Sequence, residues 1–202
     1  MLKKLKIFIV IIILLVFNIL YSFVDRDRTT YNTNISSGIY TLASPMVDGA
    51  TFSQDFHSDY DNLCKLSIRF ATYNKVYEGT MNYVLKERKT SKVVAKGSLD
   101  ISKIENNEFN DIRFLKIKNS KNKDYVIELS VESNNTAEGV SVYLTDKDKH
   151  AGPTLDNGNS IQEGAVIRYS CENIFDVETF IVLIMFEAYI YLFLKVLYKY
   201  LA

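Results

Sequence analysis

Arg69, Tyr73, Asn74 and Tyr77 fall close together in the stretch "RFATYNKVY". A tyrosine ring can stack on the apolar face of a sugar while a guanidinium and a carboxamide hydrogen-bond its hydroxyls, so these residue types suit carbohydrate binding. The same tyrosines near a hairpin loop can also pack along the rim of a sheet, because aromatic pairs stabilise sheet edges with no ligand present. Acidic residues invite a second chemistry. Asp55, Asp59 and Asp61 crowd one segment, and Asp146, Asp148 and Asp156 another. Hard oxygens of this kind suit calcium, but neither group follows the spaced ligand loop with its closing Glu, and both are read as solvated turns. Paired carboxylates also serve glycosidases as acid and base. No nucleophile or base is identifiable by arrangement, so no catalytic residue, metal ligand or cofactor is assigned and the chain is read as non-enzymatic.

Cys64 and Cys171 are read as two separate thiols, with an external disulfide left open. His57 and His150 lie far apart in the sequence, and neither cysteine has a metal-type partner at ligand spacing, so no zinc site is expected. A carboxylate, Glu187, interrupts the apolar run near the end of the chain. On a helix, Glu187, Tyr191, Lys195 and Lys199 recur every fourth residue and make one polar stripe. A charge at the bilayer centre costs on the order of 2.5 to 3.5 kcal/mol on insertion scales, so such a stripe is expected to face a membrane partner. Asn18 of the first apolar segment and a separate membrane protein are both open as that partner; the alternative is a Glu187 that is protonated, or reaches solvent through local thinning of the bilayer, and contacts nothing specific.

These groups need elements to hold them, and the apolar residues concentrate at the two ends. The run "IFIVIIILLVFNILYSFV" carries no charge and meets the requirement of roughly 18 or more apolar residues for a membrane span. Its end offers a poor cleavage site, so it is read as an uncleaved anchor rather than a signal. Phe180 to Leu201 is the second span. Lys3, Lys4 and Lys6 precede the first span and Lys195 and Lys199 end the second, so both termini are expected in the cytoplasm and the centre outside. The expected organisation is a cytoplasmic N-terminus over 1–6, a transmembrane helix over 7–24, an extracytoplasmic domain over 25–178, and a second helix over 179–202 with a short cytoplasmic end. With 24 basic residues against 24 acidic, net charge offers no argument for nucleic-acid binding.

The central segment alternates with a period of two. In "LSIRFATY", Leu66, Ile68 and Phe70 oppose Ser67, Arg69 and Ala71; Met81, Tyr83 and Leu85 form one face of the next run, and Tyr125, Ile127, Leu129 and Val131 of a later one. About nine such runs, separated by Asn, Ser, Lys and Gly, predict an all-β sandwich or barrel. "LDISKIENNEF" is expected to hold one helical turn capped by Asp100 or Ser102. "TDKDKHAGPTLDNGNSIQEG" is expected to be a surface loop with turns at Gly152-Pro153 and Asn157-Gly158.

The succession from "NLCKLSIRFATYNK" and "GTMNYVLKE" through "SLDISKIENNEFNDIRF" to "VSVYLTDKDKHAGPTLDNGNSIQEGAVIRYSC" resembles the extracytoplasmic jelly-roll sandwich of some bacterial polytopic membrane proteins, glycosyltransferase-like envelope proteins among them. It covers roughly Ser44 to Cys171. In general shape such domains are similar to carbohydrate-binding modules. The resemblance implies a jelly-roll domain that contacts sugar or serves as an accessory module. The larger proteins carry their active site on many membrane helices, and this chain has two. The expected function is a bacterial membrane-anchored protein that binds glycan or a protein partner at the cell envelope. The alternative is an accessory subunit or detached module of a polysaccharide-assembling complex. The expected partners are the lipid bilayer, an envelope polysaccharide and a polytopic membrane glycosyltransferase.

Overall fold

The computed structural model describes residues 2–133 and 137–201; of residues 2–7 and Asn173 only the backbone is described. The orientation argument from Lys3, Lys4 and Lys6 therefore rests on side chains outside the described set. Contacts divide the chain into two units, Arg26–Glu172 and the paired terminal segments Met1–Asp25 with Asn173–Ala202.

In the terminal unit, helix α1 runs Leu2–Tyr21 and helix α2 runs Val177–Leu201. The expectation that the first helix reaches 24 is corrected: Phe23 and Val24 open a strand, β1 (Phe23–Thr29). Its charged alternation, "FVDRDRT", hides it from a pattern search that looks for apolar residues. Ser22 closes α1, its amide and hydroxyl both donating to Asn18 O, at 3.0 and 2.6 Å. Asp176 caps α2 by accepting from the Thr179 amide at 3.2 Å and from its hydroxyl, the usual way an orphan N–H at a helix start is satisfied. α2 is long and apolar enough to cross a membrane, and none of its residues is buried. Where its side chains are described, Phe8–Tyr21, α1 is apolar but shorter.

The larger unit is mostly β. Its strands are β2 (Thr41–Leu42), β3 (Thr51–Ser58), β4 (Leu63–Ala71), β5 (Thr80–Glu87), β6 (Val93–Asp100), β7 (Phe109–Ile117), β8 (Lys123–Glu132), β9 (Ser141–Thr145), β10 (Ala151–Asp156), β11 (Asn159–Ile161), β12 (Gly164–Ala165) and β13 (Ile167–Phe175). They form two antiparallel sheets. One follows the order β11-β10-β3-β8-β5-β6; the other follows β1-β13-β4-β9-β12, with β7 on β4 and β2 on β9. The sheets face each other across one apolar layer. Phe56 of β3 sits between Tyr125 of β8 and Tyr169 of β13, with ring centroids 5.8 and 5.5 Å away. Met81, Leu85 and Ile127 are fully buried on one sheet and Leu66, Ile68 and Phe70 on the other, each side chain contributing roughly 1.5–3 kcal/mol by leaving water.

Several sequence expectations are refined. Ser67 and Ala71, expected on the wet face of β4, are buried, because β4 lies between two strands and long side chains close over its outer face. The stretch expected as a late loop holds the β10–β11 hairpin. Asn157 and Gly158 make its two-residue turn, with φ of 47° and 80°, the left-handed pair such hairpins require. Pro153 makes no turn; it sits in β10 where the register with β3 shifts, the kind of irregularity that tolerates a residue without an N–H. The expected helical turn is a 3-10 turn, Ile101–Lys103, capped by Asp100 Oδ1 accepting from Ser102 N at 3.1 Å.

Candidate functional site

The outer face of the sheet containing β4 gathers aromatic rings around two arginines. Arg69 on β4 lies opposite Phe109 on β7, and Arg168 on β13 lies opposite Ser67 on β4, so antiparallel pairing puts both guanidiniums on the outward side. Tyr143 comes from β9 and Tyr40 from the segment just before β2. The Arg69 Cζ is 5.5 Å from the Tyr143 ring centroid, 5.7 Å from Tyr40 and 5.9 Å from Phe109. Arg168 lies closer still, its Cζ 3.8 Å from the Phe109 centroid. Tyr31 packs edge-on to Tyr40 at 6.3 Å, and Tyr40 to Tyr143 at 6.5 Å. Cation–π contacts of this kind add about 0.5–2 kcal/mol each, depending on how dry they are. Burial pushes the Tyr40 hydroxyl above its ordinary pKa and the neighbouring Tyr31 adds to it, against the pull of the two arginines.

The hydrogen bonds of these arginines are few. Arg69 Nε donates to Asn107 O at 2.9 Å, and Arg168 Nε and Nη2 both reach Tyr31 Oη at 3.4 Å, beyond the usual range for a strong bond. Among the described residues no carboxylate lies within ion-pair distance of either one.

Of the residues singled out from sequence, Tyr73 and Tyr77 do come together. They line a depression of about 280 Å³ with Pro45, Lys75 and Glu138. Tyr73 and Asn74 are the two left-handed residues of a tight turn, φ 54° and 57°, closed by Lys75 N donating to Thr72 O at 2.8 Å. The turn directs Tyr73 Oη to Ser141 Oγ at 2.8 Å, and Asn74 Oδ1 accepts from Asn106 Nδ2 at 2.9 Å. Arg69 belongs to the aromatic face instead. Tyr31, Tyr40, Phe109, Tyr143 and Arg168 escaped the sequence reading because they come from distant segments. Alternation does mark Arg168 and Tyr143 as outward-facing, between Ile167 and Tyr169 and between Val142 and Leu144, but only strand register makes them neighbours.

A second polar cavity, about 320 Å³, opens beside β3 and β10. It unites the two histidines that are far apart in sequence: His57 N donates to His150 O at 2.8 Å. Several of the ionisable groups in and beside it face a partner. Arg88 Nε meets Asp55 at 3.0 Å, His57 Nδ1 meets Asp124 at 2.7 Å, and His150 Nδ1 lies 3.4 Å from Asp59, which also faces Arg28 at 3.8 Å. The acidic groups do not converge on an ion, since Asp61 accepts from Lys121 N, Asp148 from His150 N and Asp156 from Ser44 N. Among the described residues no cluster of three or more His, Cys, Asp or Glu side chains is arranged to hold a metal.

Neither Cys64 nor Cys171 forms a disulfide. Register shifts in both β4 and β13 leave Cys171 opposite Leu63 on the core face, while Cys64 Sγ donates to Ser170 O at 3.4 Å. Burial pushes the Cys171 thiol up to about 12.

Glu187 is half-buried on α2, and Tyr191 and Lys195 are exposed. Their spacing on the helix puts all three, with Lys199, along one face. No described residue hydrogen-bonds or ion-pairs with Glu187. Asn18, the candidate partner on α1, is buried, and its Oδ1 has no hydrogen-bond donor among the described residues.

Comparison with protein-family models finds no match for this chain, and comparison with curated proteins finds no relative.

Proposed function

We propose that this chain is a non-enzymatic bacterial membrane protein that binds glycan at the cell envelope through its β domain, a jelly-roll-like sandwich. The observation that carries this reading is the outward cluster of Tyr40, Tyr143 and Phe109 with Arg69 and Arg168. Flat apolar rings beside planar donors are what sugar recognition asks for, and they need no covalent machinery. The Tyr73–Tyr77 depression is the second contact point on the same domain. α1 and α2 serve as the two membrane anchors, with both chain ends cytoplasmic and the domain outside. The length and apolar character of α2 support this, as does the basic residue count at the two ends.

The test is retention of the full chain, in detergent micelles, on a panel of immobilised envelope polysaccharides. Retention that Tyr40→Ala and Tyr143→Ala weaken supports the reading. Failure to bind any polymer overturns it.

A second reading, an accessory subunit of a polysaccharide-assembling membrane complex, is favoured by one observation: Glu187 sits on an apolar helix with no hydrogen-bond or ion-pair partner among the described residues. Glu187, Tyr191 and Lys195 are then the docking stripe on a polytopic glycosyltransferase, because a carboxylate in hydrocarbon is stabilised by facing protein. Co-purification with membrane components should fall when Glu187→Leu is introduced. Unchanged association removes this reading.

A further inference from the structure

We infer that the ligand taken by the aromatic face is anionic, with a carboxylate or phosphate group held between Arg69 and Arg168; this rests on the glycan-binding reading above. The reason is an asymmetry among the arginines of the domain. Arg28, Arg88 and Arg113 each face a carboxylate, from Asp59, Asp55 and Asp111 respectively. Among the described residues Arg69 and Arg168 have none within ion-pair distance, and they lie instead 5.9 and 3.8 Å from the centroid of one Phe109 ring.

Stacking on rings orients a guanidinium without using its N–H groups. Each arginine carries five donors in a planar fork. Arg69 uses one on the Asn107 carbonyl, and Arg168 shares two long contacts with a single tyrosine oxygen. The remaining donors are those that match the two oxygens of a carboxylate or the three of a phosphate. The rings hold both side chains in place, so little rotamer entropy remains to be lost when an anion arrives. A neutral sugar fills the stacking surface but leaves both positive charges unmatched. An acidic sugar or a phosphorylated one satisfies both.

The experiment uses the full chain in detergent micelles with three soluble probes: neutral dextran, phosphorylated dextran and a polyuronate. Binding to an anionic probe should exceed binding to dextran, weaken as salt is raised, and fall about tenfold in each of Arg69→Gln and Arg168→Gln, the loss of one charge-assisted contact. Arg113→Gln should leave it unchanged. Preference for the polyuronate identifies a carboxylate ligand, and preference for phosphorylated dextran a phosphate. Should either arginine variant fold poorly, the parent protein answers the question through phenylglyoxal modification read by mass spectrometry. Bound probe should protect Arg69 and Arg168 while Arg113 reacts as before. Equal binding of dextran and the anionic probes, or unprotected Arg69 and Arg168, overturns the anionic inference and leaves the glycan reading intact. Binding of no polymer overturns both.

Discussion

Gln54 Oε1 accepts from the backbone N–H of Ala165 at 3.0 Å, which ties β3 of one sheet to β12 of the other through a side chain with no exposure to solvent. The same oxygen accepts from Thr154 Oγ1 at 2.7 Å, and Gln54 Nε2 donates to the carbonyls of Asp55 and Gly152 at 2.9 and 3.3 Å. The amide therefore joins three strands and has all its polar atoms satisfied.

Gln54→Leu keeps the volume but strands the buried Ala165 N–H and Thr154 hydroxyl. A buried donor left without an acceptor costs about 1–3 kcal/mol, so the variant should lose about 2–3 kcal/mol. Urea unfolding of the detergent-solubilised chain, followed by circular dichroism, reads this as a lower midpoint. A midpoint equal to the parent's contradicts the role.

The ring of Tyr83 lies over Gly97, its cross-strand neighbour on β6. A Cβ at Gly97 would come within 2.6 Å of Tyr83 Oη and 2.8 Å of its ring carbons. Gly97→Ala should therefore displace the ring and destabilise the fold by about 1–3 kcal/mol, as overpacking does. The double variant with Tyr83→Ala should show no further loss from the alanine at 97, which a double-mutant cycle measures.

Cys64 and Cys171 should form no disulfide, because the Cys64 thiol donates to the Ser170 carbonyl while Cys171 lies on the core face opposite Leu63. Intact mass should be the same with and without reductant. Cys171, fully buried and with its pKa pushed up to about 12, should react with iodoacetamide at pH 8 only after denaturation. A disulfide-linked species from the native protein counts against this arrangement.

Asp55 is expected to set part of the pH dependence of stability. Burial raises its pKa above the ordinary 3.8, a shift that the Arg88 charge opposes and Asp124 and Glu128 reinforce. A carboxyl whose folded pKa is raised contributes stability that is fully present below its unfolded value and is lost as pH rises through the folded value. Asp55→Asn removes that dependence. Relative to the parent, the variant should gain stability as pH rises from about 3 to 7. A gap that moves the other way means the Arg88 pair outweighs burial.

Much of the β architecture is legible in local patterning. The period-two runs of β5 and β8 put Met81, Tyr83, Leu85, Tyr125, Ile127, Leu129 and Val131 inside, and all are buried, because a strand has only two faces and water sorts them. The Asn157–Gly158 turn and the Asp100 cap were likewise readable, since they depend on neighbours two or three residues away. β1 and β10 were not: one is too charged to alternate by hydropathy, and the other carries Gly and Pro that read as loop until β3 pairs with it.

By itself, the amino-acid order determined that the segment forming α2 is apolar along its length and which residues of β5 and β8 alternate inward. Tertiary structure alone decided that Arg69 parts from Tyr73 and Tyr77 and joins Arg168, Phe109 and Tyr143, that His57 meets His150, and that the cysteines stay apart. Alternation is a property of one strand, whereas such neighbours depend on register between strands distant in sequence, which is set by the packing of the whole core.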